Sequence, residues 1–140
     1  MILYKKLDYL AQRIRYEATY QEMKYYLKQI LNGKNTGSKL RIVGNWNRDI
    51  GKSCALARLA VKYDIPVAVP FKSWESLYTR EIPERIPKYF KCGIPRVIVV
   101  NDSLHMKSED IVLMEECIDY EKYEAILSHR CKHIVGYQSI

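Results

Sequence analysis

The chain of 140 residues has no apolar run approaching the about 18 residues that a membrane-spanning helix needs. Its opening residues, Met1-Ile2-Leu3-Tyr4-Lys5-Lys6-Leu7-Asp8, interrupt the apolar positions with charge and show no small-residue cleavage site, so the expectation is a cytoplasmic protein without a secretory signal. Cysteine is sparse and scattered: Cys54, Cys92, Cys117 and Cys131 form no CxxC pair, which argues against a disulfide framework or a zinc ribbon and for reduced thiols. Glycine and proline number only 6 and 5, and neither occurs in residues 3–31, so nothing there breaks a helix. There is no internal repeat and no low-complexity segment. What is abundant is tyrosine, at 12 residues, and positive charge, at a net +7. The charge is uneven. Residues 1–41 hold nine lysines and arginines against Asp8, Glu17 and Glu22, whereas the remainder is close to neutral. A basic segment of this kind suits a DNA or RNA backbone or an acidic protein surface, and equally a solvated helix face.

Residues 3–31 repeat apolar and aromatic side chains at helical spacing, through Leu7, Leu10, Ile14, Tyr16, Tyr20, Met23, Leu27 and Ile30, and predict one long helix or two abutting ones. Asn32-Gly33 supplies a stop. The chain then divides into a basic helical extension and loop, 1–38, and a core, 39–140. Leu40-Arg41-Ile42-Val43 predicts a strand, residues 52–63 a helix ended by Asp64-Ile65-Pro66, and Val67-Ala68-Val69 a second strand. Strand, glycine-bearing loop, helix and strand make a βαβ unit and imply a mainly parallel sheet of about four strands with helices packed on it, an α/β fold. Residues 71–93, with Pro83 and Pro87, read as irregular or short helix. The β-branched run Val97-Ile98-Val99-Val100 predicts a strand buried on both faces at the sheet's centre. Ser108-Glu109-Asp110 reads as the start of a helix over 111–127, and 133–137 as a last strand.

The segment Gly44-Asn45-Trp46-Asn47-Arg48-Asp49-Ile50-Gly51-Lys52-Ser53 joins the first strand to the following helix and resembles the phosphate-binding loop, or Walker A motif, of P-loop NTPases. Its first glycine departs from the usual GxxxxGK[ST] spacing: six residues, not four, separate Gly44 from Gly51. The chemistry asks for backbone N–H groups around phosphate, a lysine to neutralise it and a hydroxyl for magnesium. The resemblance therefore implies Mg-ATP as ligand, with Mg2+ as cofactor and contacts from Gly44, Arg48, Gly51, Lys52, Ser53 and Cys54. Lys52 would meet the terminal phosphates and Ser53 the metal. The strand ending in Asn101-Asp102 resembles Walker B, in which four apolar residues precede an acid, and implies Asp102 as metal-side or catalytic carboxylate. The usual acid pair is missing at that place, so binding is better supported than hydrolysis, which is expected to be slow or partner-stimulated.

The resemblance extends to the additional-strand class, which includes AAA-plus ATPases and phage packaging ATPases. In that class a polar residue at a later strand's tip senses the γ-phosphate, which implies Gln138 or Ser139 here. Arg48 and Arg130 are candidates for an arginine finger within a homo-oligomer. Two alternatives stay open. One is a nucleic-acid or protein interaction module with a degenerate loop; the other is a small-molecule kinase in which Arg80, Arg85 and Lys88 hold an anionic acceptor. His129, Cys131 and His133 would share one face of a strand, a zinc-like spacing that lacks a fourth ligand nearby.

Overall fold

The computed structural model describes residues 2–33, 40–45, 51–100, 109–115 and 131–139. Helix α1 (Ile2–Leu31) is a single uninterrupted helix of 30 residues, as the lack of glycine and proline predicts. Only its second half enters the core: Tyr20, Met23, Leu27 and Ile30 are buried, whereas Leu3, Leu7, Leu10 and Ile14 are exposed.

Five strands form one all-parallel sheet: β1 (Leu40–Asn45), β2 (Val67–Val69), β3 (Val97–Val99), β4 (Glu109–Met114) and β5 (Cys131–Ser139), in the order β1-β5-β4-β2-β3. Between β1 and β2 runs helix α2 (Lys52–Tyr63). The register sets Val67 beside Leu113 and Leu113 beside Val135, so side chains of one parity meet on one face. That face, with Val67, Val69, Leu113 and Val135, packs with Met23 and Leu27 of α1 and Leu56 and Leu59 of α2 into one core. Ala68, Val112, Met114 and Ile134 alternate to the opposite face and form a second apolar cluster with Val100 and Cys131. Alanines at 55, 57 and 60 keep α2 thin where it is buried, and burying each of Leu56 and Leu59 is worth about 1.5–3 kcal/mol.

Helix α2 ends where the sequence indicates. Asp64 adopts the left-handed conformation (φ 53°) and its N–H donates to the Ala60 carbonyl, a conformation that aspartate tolerates better than most residues. Arg96 clamps this turn, donating from Nε to the Asp64 carboxylate at 3.2 Å and from its guanidinium to the Asp64 carbonyl at 2.8 Å. Residues 71–93 are short helical turns, Lys72–Trp74, Leu77–Glu81, α3 (Ile82–Arg85) and Pro87–Tyr89, with proline in the first turn of the last two.

Two elements differ from the sequence expectation. The segment Ile111-Val112-Leu113-Met114, expected to open a helix, is strand β4, lying between β5 and β2. The acids at 109 and 110 resemble a helix N-terminus, but four consecutive apolar residues with no polar face fit a buried strand better. Strand β3, expected at the centre, is the outer strand of the order, and Val97, Ile98 and Val99 are only partly buried. A β-branched run reports strand preference, not position in the sheet.

Gly136 of β5 sits opposite Met114, and a Cβ there would lie 2.5 Å from the Met114 carbonyl oxygen. Only glycine lets the two strands approach this closely at the last residue before Glu115.

Candidate functional site

All strands being parallel, their C-terminal ends share one edge of the sheet, where ligands of open α/β sheets generally bind. Gly51 precedes α2 at this edge in a left-handed conformation, φ 81° and ψ 30°. An added Cβ would come within 2.8 Å of the Tyr16 ring. Glycine is thus required twice, by backbone conformation and by the close approach of α1. The Gly51 carbonyl accepts from the Ala55 N–H at 2.9 Å, closing the first helical turn, and no side chain from Gly51 caps it. The N–H groups of a first helical turn have no intrahelical partner and carry the positive end of the helix dipole, which suits an anion. Lys52, the first residue of α2, is 8% exposed. Lysine is rarely buried to this degree without anionic or polar company.

Ser53 faces Glu115, the residue immediately after β4. Its hydroxyl is 3.0 Å from one carboxylate oxygen and 3.2 Å from the other, across 62 positions of sequence. Glu115 is only 3% exposed, and its backbone N–H donates to the Ala68 carbonyl at 3.0 Å, which fixes its place at the end of the sheet. A hydroxyl and a buried carboxylate are both oxygen donors, the ligand type magnesium prefers, and two protein oxygens with the rest from water or phosphate is its usual manner of binding. Among the described residues no three His, Cys, Asp or Glu side chains gather.

Beside Gly51 and Cys54 opens a cavity of about 410 Å3, walled by Arg13 and Tyr16 from α1 and by Lys88 and Tyr89. Arg58, one turn along α2 from Cys54, holds two tyrosines of that wall, Tyr16 and Tyr89. The guanidinium carbon lies 3.8 Å from the centre of the Tyr20 ring and 4.0 Å from that of Tyr89. Arg58 also donates to the Tyr16 hydroxyl at 3.0 Å and pairs with Glu17 at 3.4 Å. One arginine therefore ties α1, α2 and the Pro87–Tyr89 turn together. Burial pushes the Tyr16 phenol up to about 12, partly offset by Arg58. Burial also raises the Cys54 thiol and the Glu115 carboxylate adds to that, while Arg85 and Arg58 oppose it.

Of the residues singled out by sequence, Gly51, Lys52, Ser53 and Cys54 come together here. Gly44 and Gln138 are register partners in β1 and β5, so their backbones lie side by side near the end of the sheet. Arg48, Asp102, His129 and Arg130 lie outside the described residues. The strand that precedes Asp102, β3, is at the opposite edge from β1. Cys131 is buried among apolar residues of the second cluster, and His133 is half-buried with its Nδ1 unpartnered among the described residues. Arg80 and Arg85 are exposed, and of the three acceptor candidates only Lys88 lines the cavity. Sequence reasoning missed Glu115, although its signal was present: Ile111-Val112-Leu113-Met114 followed by Glu115-Glu116 satisfies the pattern of four apolar residues and an acid pair better than 97–102 does. It also missed Arg58, whose partners are brought close only by folding.

No family model, curated protein or solved structure matches this chain.

Proposed function

We propose that the chain is a nucleotide-binding protein of the P-loop kind, taking Mg-ATP at the N-terminus of α2. The observation that carries this reading is the Ser53 hydroxyl held on the buried Glu115 carboxylate at 3.0 and 3.2 Å, directly after a left-handed glycine and a buried lysine. That is the combination of hydroxyl, carboxylate, ammonium and helix N-terminus that a metal-bound polyphosphate requires. The strand order supports it as well, because β5 and β4 separate β1 from β2 and bring Glu115 toward the start of α2.

In this reading the first-turn N–H groups and Lys52 hold the phosphate oxygens, and Ser53 and Glu115 hold Mg2+. The metal, when bound, supplies charge neutralisation for the terminal phosphates. Glu115 thereby takes the metal-side role that the sequence pattern suggested for Asp102. Glu116, the next residue, is the candidate for accepting a proton from attacking water, so slow or partner-stimulated hydrolysis belongs to the same proposal. The nucleoside would occupy the cavity against Tyr16 and Tyr89.

Isothermal calorimetry with ATP, with and without Mg2+, tests this. Lys52→Ala should weaken binding by at least about 1.5 kcal/mol, the lower range for a charge-assisted contact. Glu115→Gln should chiefly remove the benefit of Mg2+, because it takes charge from the metal's surroundings. Equal affinity of wild-type and Lys52→Ala protein would sink the assignment.

A further inference from the structure

We propose that the first four turns of α1 are a docking strip for one amphipathic helix of a partner protein, carrying acidic side chains along the edges of its apolar seam. Leu3, Leu7, Leu10 and Ile14 are 68%, 56%, 51% and 67% exposed, and they recur at alternating spacings of four and three, the a and d positions of a heptad. They do not continue the face that enters the core. At about 100° per residue the strip lies roughly 140° around the helix from Tyr16, Tyr20, Met23 and Leu27, and the described residues leave it exposed.

Charge decides the occupant. With Leu7 and Ile14 at a, the flanking g positions are Lys6 and Arg13, and the e positions are Tyr4, Ala11 and Ala18. A second copy aligned in parallel would set Lys6 and Arg13 against alanines, and an antiparallel copy would set them against each other. Neither arrangement gains an ion pair and the second is repulsive. The one acid in this stretch, Asp8, accepts a hydrogen bond from Gln12 of the same helix at 3.3 Å. A partner helix with glutamates opposite Lys6 and Arg13 gains pairs at both, with Lys5 and Arg15 adding attraction at longer range. The seam is two heptads long, too short for a self-sufficient coiled coil, and so depends on this complementarity. It is also narrow, which suits one facing helix better than a membrane surface.

The test uses the full chain and a labelled 21-residue helical peptide with leucine at a and d and glutamate at e and g, read by fluorescence anisotropy. A sibling peptide replaces each glutamate by lysine. The glutamate peptide should bind roughly ten-fold or more tightly than the lysine peptide, and Leu7→Gln/Leu10→Gln should weaken it by a similar factor. Because both leucines are exposed, the melting temperature of this variant should match wild type. Lys6→Glu/Arg13→Glu should reverse the preference between peptides. Equal binding of the two peptides, or no loss in the leucine variant, overturns the proposal. So does self-association through the strip in sedimentation. A single-stranded oligonucleotide or an anionic vesicle that outcompetes the glutamate peptide, and binds the leucine variant equally well, would assign the basic charge to that ligand instead.

Discussion

Two thiols, one of them beside the proposed site, differ in what surrounds them, and chemistry can read the difference. Cys92 is exposed, while Cys54 is half-buried beside the cavity. Burial raises the Cys54 thiol, with Glu115 adding to it, so its reactive thiolate is scarce at neutral pH. Iodoacetamide at pH 8 should therefore alkylate Cys92 well before Cys54, as followed by peptide mass spectrometry. Bound nucleotide should slow Cys54 further and leave Cys92 unchanged. Tyr16 offers a test in the alkaline range. Its phenol is pushed up to about 12 by burial against an ordinary value of 10.0, so the folded state disfavours the phenolate. The stability from this group is complete below the unfolded value and declines as pH rises from 10 toward about 12. Tyr16→Phe should flatten the fall in stability across that window relative to wild type, measured by urea titration at each pH. An identical pH profile would mean that Tyr16 is not held protonated by its surroundings.

At the scale of elements, Arg58 is the joint on which α1 bears. Stacking between Tyr20 and Tyr89, a hydrogen bond to Tyr16 and a pair with Glu17 join its own helix to α1 and to the Pro87–Tyr89 turn. Arg58→Lys keeps the charge but loses the planar stacking and the fork of donors. We expect a loss of about 1–2 kcal/mol in urea unfolding, together with a faster exchange of amides in α1, whereas a change on the exposed face, such as Lys62→Arg, should be neutral. The elements themselves were unequally legible in the sequence. Helix α2 was bounded correctly by glycine before it and Asp64-Ile65-Pro66 after it, because both signals are local backbone constraints. Strand β4 was misread because Ser108-Glu109-Asp110 carries the composition of a helix start, and the competing information, that Val112 and Leu113 are buried on opposite faces, depends on neighbours far along the chain. Misplacing β4 hid Glu115, and with it the partner of Ser53. Gly51-Lys52-Ser53 was thus readable from one contiguous stretch, whereas pairing Ser53 with Glu115 required the sheet order.

At the scale of the whole molecule, α1 is two structures in one helix, and a pair of truncations should separate them. Among the described residues no helix is long and apolar enough to cross a membrane. The second half of α1 supplies Tyr20, Met23, Leu27 and Ile30 to the same core that holds Leu56, Leu59 and Leu113. Each large apolar side chain removed from such a core costs about 2–5 kcal/mol, and four together exceed much of the about 5–15 kcal/mol that holds a domain folded. Deleting residues 1–33 should consequently unfold the chain, so that loss of ligand binding in that variant would say nothing about the extension. Deleting residues 1–8 removes Leu3 and Leu7 but neither Tyr16 nor Arg13 from the cavity wall, and the side chains of residues 2–8 are exposed. That shorter variant should keep its cooperative melting transition within a few degrees of wild type and keep its affinity for Mg-ATP, while losing the acidic helical peptide. Circular dichroism melting and calorimetry on the same preparations check this. A cooperative, ligand-binding core lacking residues 1–33 would show that α1 is dispensable to the fold, against the burial of its second half; a collapse on removing only residues 1–8 would show that the exposed turns contribute to the core through contacts other than those described.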